Sequence, residues 1–215
     1  MTPPAMYMLL HQCNAASGCD AFDGHVLACM FAAGVAETGP GGPLTEALGI
    51  CGPALRCHID RYFPGALDLL EPFGLDREIV VGDDERCLRE LLLRSRTTPA
   101  PLSSLFSILI ARRATRPNHL WQDLGLTNRS ELSTLMLRHF APLALRNKQD
   151  MKWKKFFYRM ICRDEGYRMC AAPCCSECSD FEACFGDESG ESLLARVRFH
   201  LEAPGLVPIE AARTK

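Results

Sequence analysis

Six of the twelve cysteines in this 215-residue chain fall between Cys162 and Cys184. Four of them follow the spacing C-x4-C-x2-C-x5-C: Cys170, Cys175, Cys178 and Cys184. Thiolates are soft ligands, and they select iron–sulfur clusters, zinc or cuprous ions over hard cations. Because four thiolates in so short a segment can surround one metal centre, this spacing predicts a metal site.

Two kinds of metal centre fit these cysteines. Structural zinc sites usually present two separated cysteine pairs, with a spacer of roughly a dozen residues or more between them. Here all four cysteines share one short segment, which favours an iron–sulfur cluster whose iron atoms occupy several corners. The first three have the C-x4-C-x2-C spacing of plant-type ferredoxins, but the fourth follows too soon for that fold. Spacing is a weak selector among soft metals, so structural zinc stays open.

The other cysteines bear on the register of the site and on the redox compartment. Cys174 lies beside Cys175 and could replace it or serve as a spare thiol, whereas we interpret Cys162 as structural. Six more are scattered over the first 90 residues: Cys13, Cys19, Cys29, Cys51, Cys57 and Cys87. A disulfide scaffold would be a short secreted chain, and we see neither that length nor a signal peptide. We therefore expect these six to be small buried hydrophobic side chains in a reducing cytoplasm.

Composition excludes several classes of partner. A formal charge of −2 gives no electrostatic reason for binding nucleic acid or an anionic membrane. The longest apolar stretch, residues 26–36, is far shorter than the about 20 residues that span a bilayer. The chain has no nucleophile triad, phosphate loop or paired-carboxylate pattern. We expect a soluble, cytoplasmic protein whose core, drawn from 47% hydrophobic residues, folds without a metal.

Helical periodicity runs through the chain, and no stretch alternates with the period of a β-strand. Residues 20–37 predict a helix that the sequence GPGGP (39–43) ends, and an apolar stripe over residues 102–110 predicts another. Asn128 with Glu131 three residues later predicts the capped start of a third. The sequence thus predicts an all-α fold: a helical domain with a C-terminal cysteine-rich metal-cluster loop.

The segment TTPAP (97–101) is the best candidate for a boundary within the chain. It divides an N-terminal helical region, residues 1–98, from residues 99–187, which contain further helices and the cysteine segment. Residues 188–215 form a C-terminal extension. We expect residues 1–187 to form one compact unit.

Three motifs in order resemble the NifQ family. They are RRATRPNHLWQDLGL (112–126), MKWKKFFYR (151–159) and the cysteine segment (170–186); the first hundred residues match weakly, chiefly through YFPG (62–65). NifQ proteins supply molybdenum for the iron–molybdenum cofactor of nitrogenase. The resemblance implies a carrier and not an enzyme, which binds a molybdenum–iron–sulfur cluster through Cys170, Cys175, Cys178 and Cys184. Molybdate would be the metal source, and the scaffold NifEN and the iron protein NifH the recipients.

Two other functions fit the same cysteines: a zinc-stabilised interaction module, and an electron-transfer protein with a permanent iron–sulfur cluster. His119, in the turn PNHLW, is a candidate nitrogen ligand to molybdenum or a first anion contact, although a helix-capping role explains it as well.

We also expect one helix over residues 145–162, with its apolar side formed by Trp153, Phe156, Phe157 and Met160. Its basic stripe is formed by Lys148, Lys152, Lys155 and Arg159. The stripe fits a solvated face, a docking surface for an acidic partner, or attraction of molybdate.

Overall fold

The computed structural model describes residues 2–164, together with Cys184, Gly186 and Glu188. All regular structure in these residues is helical, which confirms the all-α prediction for this part of the chain. The α-helices are α1 Pro3–Asn14, α2 Ala21–Thr38, α3 Leu44–Leu48, α4 Gly52–Tyr62, α5 Leu67–Leu70, α6 Asp83–Arg94, α7 Pro101–Ala114, α8 Leu120–Asp123, α9 Arg129–His139, α10 Ala141–Ala144 and α11 Trp153–Asp164. A single 3₁₀ turn, Glu71–Phe73, follows α5. No helix among the described residues is both long and apolar enough to cross a bilayer.

Helix α2 forms the centre of the fold. The Asp20 side chain accepts a hydrogen bond from the backbone N–H of Phe22 at 3.0 Å, which caps the start of the helix. Every residue from Val26 to Val35 is buried, and α1 and α3 pack against the helix. A helix that is apolar on all sides is stable only inside a core. Gly39, with φ of 65°, then ends it as predicted.

One hydrophobic core includes residues from both sides of position 98. Phe31 of α2, Leu91 of α6, Phe106 of α7 and Phe157 of α11 all belong to it and are completely buried. The predicted stripe over residues 102–110 is confirmed on α7, where its last four members are at most 1% exposed. α6 and α11 also pack on one another, so the last described helix is part of the same body.

A chain of buried polar groups joins three of these helices. His139 of α9 lies between Asp23 of α2, at 3.0 Å from Nε2 to Oδ1, and Ser103 of α7, at 3.0 Å from Nδ1 to Oγ. All three residues are at most 7% exposed. Buried polar groups that satisfy each other specify one arrangement of the helices that carry them, because any other arrangement leaves them unpaired.

The prediction of one helix over residues 145–162 is wrong for residues 145–152. The Asn147 side chain closes a turn by donating to the carbonyl oxygen of Met151 and accepting from its N–H, both at 2.9 Å. Asp150 adopts a left-handed conformation, with φ of 54°, which a continuing helix does not allow. Lys148 and Lys152 therefore precede α11, and only the last two residues of the basic stripe lie on it. The predicted apolar side of α11 is confirmed, since its four members are at most 5% exposed.

The scattered cysteines are not all buried. Cys29 is buried in α2, while Cys13, Cys19 and Cys87 are partly buried. Cys51 and Cys57 are exposed, so the prediction is wrong for these two. Both belong to the region of α4, whose buried side is formed by Gly52, Leu55, Ile59 and Tyr62, and both lie outside that side.

Replacing Gly125 by Ala should destabilise the protein more than replacing Gly18 by Ala. Both glycines have positive φ, 73° and 71°, so the backbone penalty of an alanine is the same. A Cβ at Gly18 meets nothing within 4 Å, whereas at Gly125 it lies 2.7 Å from the carbonyl oxygen of Cys29. We expect a further loss of about 2 kcal/mol for Gly125→Ala in urea denaturation. Equal losses in the two variants would contradict this close approach.

Candidate metal centre

The first two of the three motifs are joined at Asp123, the last residue of α8. Its carboxylate accepts from Asn118 Nδ2 at 3.0 Å and from Lys154 Nζ, near the start of α11, at 2.5 Å. Its backbone carbonyl accepts from Arg113 Nε at 2.6 Å. The Asp123 side chain is 3% exposed, so nearly all its hydration has been replaced by these groups. Asp123 thus holds together the end of α7, the turn after it and the beginning of α11.

Two cations lie beside Asp123: Arg113, which is buried, and Lys154, which is partly buried. Burial lowers the pKa of the Arg113 guanidinium, and its ion pair with Glu37 of α2 opposes that shift. Burial likewise lowers the pKa of Lys154, and the hydrogen bond to Asp123 opposes it. Lys154 Nζ also donates to the carbonyl oxygen of Arg116. Buried cations of this kind are tolerated only when opposite charges compensate them, so the network holds its members in fixed positions.

The last predicted ligand, Cys184, contacts the helical body. The backbone N–H of Lys152, immediately before α11, donates to the carbonyl oxygen of Cys184 at 2.9 Å. Cys184 is partly buried and packs against the hydrophobic core. Four residues later the carboxylate of Glu188 forms an ion pair with Arg129 and lies 3.3 Å from His119 Nδ1. Cys184 therefore brings the third motif against the second at the start of α11, and Glu188, just after the third motif, contacts the first through His119.

This contact fixes the location of the predicted site relative to α11. Cys184 lies beside the first residue of α11, because its carbonyl oxygen accepts from Lys152 N–H. A helix of 12 residues is about 18 Å long, so Cys184 is about that far from the other end of α11. Any metal centre that includes Cys184 consequently lies at the start of α11.

The structure places one of the four predicted ligands. Cys170, Cys175 and Cys178 lie outside the described residues, as does Cys174, and Cys184 is at the junction of the three motifs. Among the residues that are described, no three or more His, Cys, Asp or Glu side chains are grouped so that they could hold a metal ion. The four-cysteine site therefore stays a prediction.

His119 has the structural role that its position in the turn indicated. It immediately precedes α8, and its backbone N–H donates to the Gln122 side chain at 3.2 Å. Its ring faces the carboxylate of Glu188. Binding of molybdenum by this ring stays a prediction.

Sequence reasoning missed the residues that join the motifs to one another. Arg129 is the most connected: it donates to the carbonyl oxygens of Asp150 at 2.9 Å and Met151 at 3.1 Å, and it pairs with Glu188. Asp123 lies inside the first motif and Lys154 inside the second, so the motifs could have indicated both residues. Arg129 and Glu188 lie outside the motifs and follow no periodic pattern that would have marked them.

A group of titratable side chains around His25 has a different character, because it does not form a metal site. His25 Nδ1 is 2.9 Å from the Tyr7 hydroxyl, its Nε2 is 3.6 Å from a Glu131 carboxylate oxygen, and the Cys29 sulfur is 3.8 Å from the ring. Burial raises the pKa of the Cys29 thiol far above its usual range, and the Glu131 charge adds to that effect. Cys29 therefore stays a neutral thiol, which is a poor metal ligand.

Over the residues that the structure describes, the fold and the junction define a class: a helical protein in which Cys184, at the end of the cysteine-rich segment, rests on the helical body beside a network of charges. The NifQ family profile matches residues 26–186 of the chain, which contain all three motifs and most of the helical body. The chain belongs to the NifQ family, and this membership gives it a role in nitrogen fixation.

Individual relatives support this membership. A protein NifQ homolog of Sinorhizobium fredii is 43% identical over 174 residues, which cover 80% of this chain and 75% of the relative. Protein NifQ of Rhodobacter capsulatus is 38% identical over 168 residues, covering 75% of this chain and 89% of the relative. Protein NifQ of Klebsiella pneumoniae is 47% identical over a shorter stretch of 78 residues. No solved structure matches the chain.

Lys154→Met should destabilise the protein by about 3 kcal/mol, because it leaves the buried Asp123 carboxylate without its cationic partner. Lys155→Met is the matched control, since the same change one residue later removes an exposed cation. We expect that control to lie within about 0.5 kcal/mol of the wild type. Urea denaturation measures both, and equal effects would show that the Asp123–Lys154 pair does not hold the junction.

Proposed function

We propose that this protein is a metallocluster carrier, which binds a molybdenum–iron–sulfur cluster as cargo and donates molybdenum for assembly of the iron–molybdenum cofactor of nitrogenase. The observation that carries the proposal is the meeting of the three NifQ motifs at the start of α11, where Cys184 rests on the helical body. Cys170, Cys175 and Cys178 are the other proposed ligands. The proposal assigns the helical body the task of holding one end of the ligand segment.

The chemistry of molybdenum supports a cluster as the cargo. Molybdate is a hard oxyanion, and thiolates alone are too soft to capture it. A sulfide-bridged iron cluster offers soft, electron-rich ligands to reduced molybdenum and holds it at a corner that iron leaves vacant. Four thiolates complete the shell, or three with a nitrogen or oxygen donor on molybdenum, for which His119 is a candidate.

A carrier agrees better with the described residues than an enzyme does. The arrangement that most resembles catalytic machinery is the hydrogen-bonded chain of Ser103, His139 and Asp23. Its serine is 1% exposed and lies within α7, so no substrate reaches the hydroxyl. Nucleophilic catalysis needs a nucleophile that can contact its substrate, and this serine does not meet that condition.

Two alternatives use the same cysteines. In a zinc-stabilised interaction module the metal would only fold the segment, and the protein would contain zinc without sulfide. In an electron-transfer protein the iron–sulfur cluster would be permanent, and molybdenum would not exchange. The large core of residues 2–164 does not need a metal to fold, so in the first alternative zinc would stabilise only the cysteine segment.

The proposed recipients are the scaffold NifEN and the iron protein NifH, with molybdate as the metal source. Lys148 and Lys155 are exposed and flank the start of α11, next to the residue that holds Cys184. Exposed charges at the edge of an interface steer association more than they strengthen the bound state. We propose that these lysines belong to the surface that meets an acidic recipient.

Replacing Cys170, Cys175, Cys178 or Cys184 singly by Ala should remove most of the bound iron from anaerobically purified protein. Cys174→Ala is the matched control, because it removes the neighbouring thiol outside the x4–x2–x5 register and should leave iron in place. Helical content by circular dichroism should stay near that of the wild type in all five variants, since the described core forms without the segment. Unfolded variants would favour structural zinc, and greater loss of iron from Cys174→Ala than from Cys175→Ala would show a different register.

The double variant Lys148→Glu with Lys155→Glu should retain its iron and molybdenum but transfer molybdenum more slowly to the recipient at low salt. The salt dependence of that rate should also become weaker, because the steering charges have been reversed. Arg61→Glu with Arg77→Glu is the control, since it makes the same change in charge at two exposed positions in the first hundred residues. If both pairs slow transfer equally, net charge is responsible and this surface is not specific.

A further inference from the structure

The described end of the cysteine segment touches the helical body at two places, four residues apart. The first is the hydrogen bond from the backbone N–H of Lys152 to the carbonyl oxygen of Cys184, and the second is the Glu188 carboxylate. The Glu188 side chain is only 6% exposed. Acidic side chains are almost never buried unless they are paired, so its position depends on its basic partners.

Both basic partners of Glu188 are themselves held in place. Arg129 donates from Nη2 to the carbonyl oxygen of Met151 at 3.1 Å, while its Nη1 contacts Glu188. His119 is fixed at the start of α8 by the hydrogen bond from its N–H to the Gln122 side chain. The charge-assisted hydrogen bond from Arg129, together with the nearby His119 ring, defines both the position and the orientation of the Glu188 carboxylate.

We propose that Glu188 is a positioning residue, which pins the closing end of the cysteine segment so that Cys184 stays at the start of α11. As it concerns the cargo, this inference rests on the proposed function, in which Cys184 is a ligand. Because Cys184 is already held in place, this ligand does not have to be ordered when the metal binds. Ligands that are ordered in advance hold their metal more tightly, because less conformational entropy is lost on binding.

The location of Cys184 at the start of α11 also suits the charge of the proposed cargo. A cluster bound by four thiolates carries negative charge, and the N-terminal end of a helix favours negative charge. Helix α11 presents that end to Cys184, whereas its C-terminal end, with the opposite preference, lies about 18 Å away. Anchoring at Glu188 therefore keeps the cargo at the favourable end of the helix.

The test begins with the cargo-free full-length chain and the variant Glu188→Gln, which keeps the size of the side chain and removes its charge. Alkylation of individual cysteines is followed by peptide mass spectrometry. Cys184 should react at least about tenfold faster than in the wild type, because a buried ion pair that loses one charge is strongly weakened. The exposed Cys57 serves as an internal reference, and the buried Cys29 reports any general unfolding. Glu90→Gln, the same change at an exposed residue of α6, should leave every rate unchanged.

An unchanged Cys184 rate in Glu188→Gln overturns the inference. If Cys29 becomes reactive as well, the Glu188→Gln variant has unfolded. The Cys184 rate is then compared in His119→Gln, which removes the second partner of Glu188, and an unchanged rate there overturns the inference. Iron loss to a chelator from the loaded Glu188→Gln variant should likewise be about tenfold faster than from the wild type. A wild type that binds no iron, with Cys184 still responding to Glu188→Gln, would reject the proposed function and leave the positioning role of Glu188 standing.

Discussion

The buried carboxylate of Asp123 is the constraint on which the rest of the junction depends. A carboxylate removed from water loses several kcal/mol of hydration, which only well-placed partners offset. Asp123 finds them in Lys154, at the start of α11, and in Asn118, while Arg113 binds its backbone carbonyl. Because these partners come from separate parts of the chain, the pairing fixes α11 against the end of α7 and against α8.

The end of the cysteine segment is built upon this fixed junction. Lys152, which holds the backbone of Cys184, lies two residues before Lys154 and takes its position from the same start of α11. Arg129 extends the network from α9 to the turn before α11 and to Glu188. A rigid support for one proposed ligand, Cys184, agrees with the proposed cargo, which would have to be bound and later released.

Much of the helical architecture could be predicted from the sequence, because local signals determine it. Helix α2 is apolar from Val26 to Val35, between a capping aspartate and a terminating glycine, and Asn128 caps α9 by accepting from Glu131 N–H at 3.1 Å. The start of α11 could not be predicted in this way. Its basic and apolar residues keep a helical period through residues 145–152, but the side-chain hydrogen bonds of Asn147 and the left-handed Asp150 end that period. The hydrogen bonds within residues 147–151, together with the contacts of Arg129 with the carbonyl oxygens of Asp150 and Met151, override the periodic pattern there.

The candidate site, too, could be predicted from the sequence only in part. Cysteine spacing predicted the ligands and the three motifs identified the family, and both are properties of the sequence. Where Cys184 rests was not predictable, because Arg129 and Glu188 meet across 59 positions and belong to no motif. Exposure of Cys51 and Cys57 was missed for a related reason: which side of α4 faces the core depends on its packing, not on the residue type.

The most direct test of the account is the metal content of the full-length protein, purified without oxygen from cells supplied with molybdate, before and after incubation with the NifEN scaffold. We predict iron, acid-labile sulfide and molybdenum in the purified protein, with molybdenum passing to the scaffold during incubation. Zinc without sulfide, or an iron–sulfur cluster from which no molybdenum is transferred, would contradict the account.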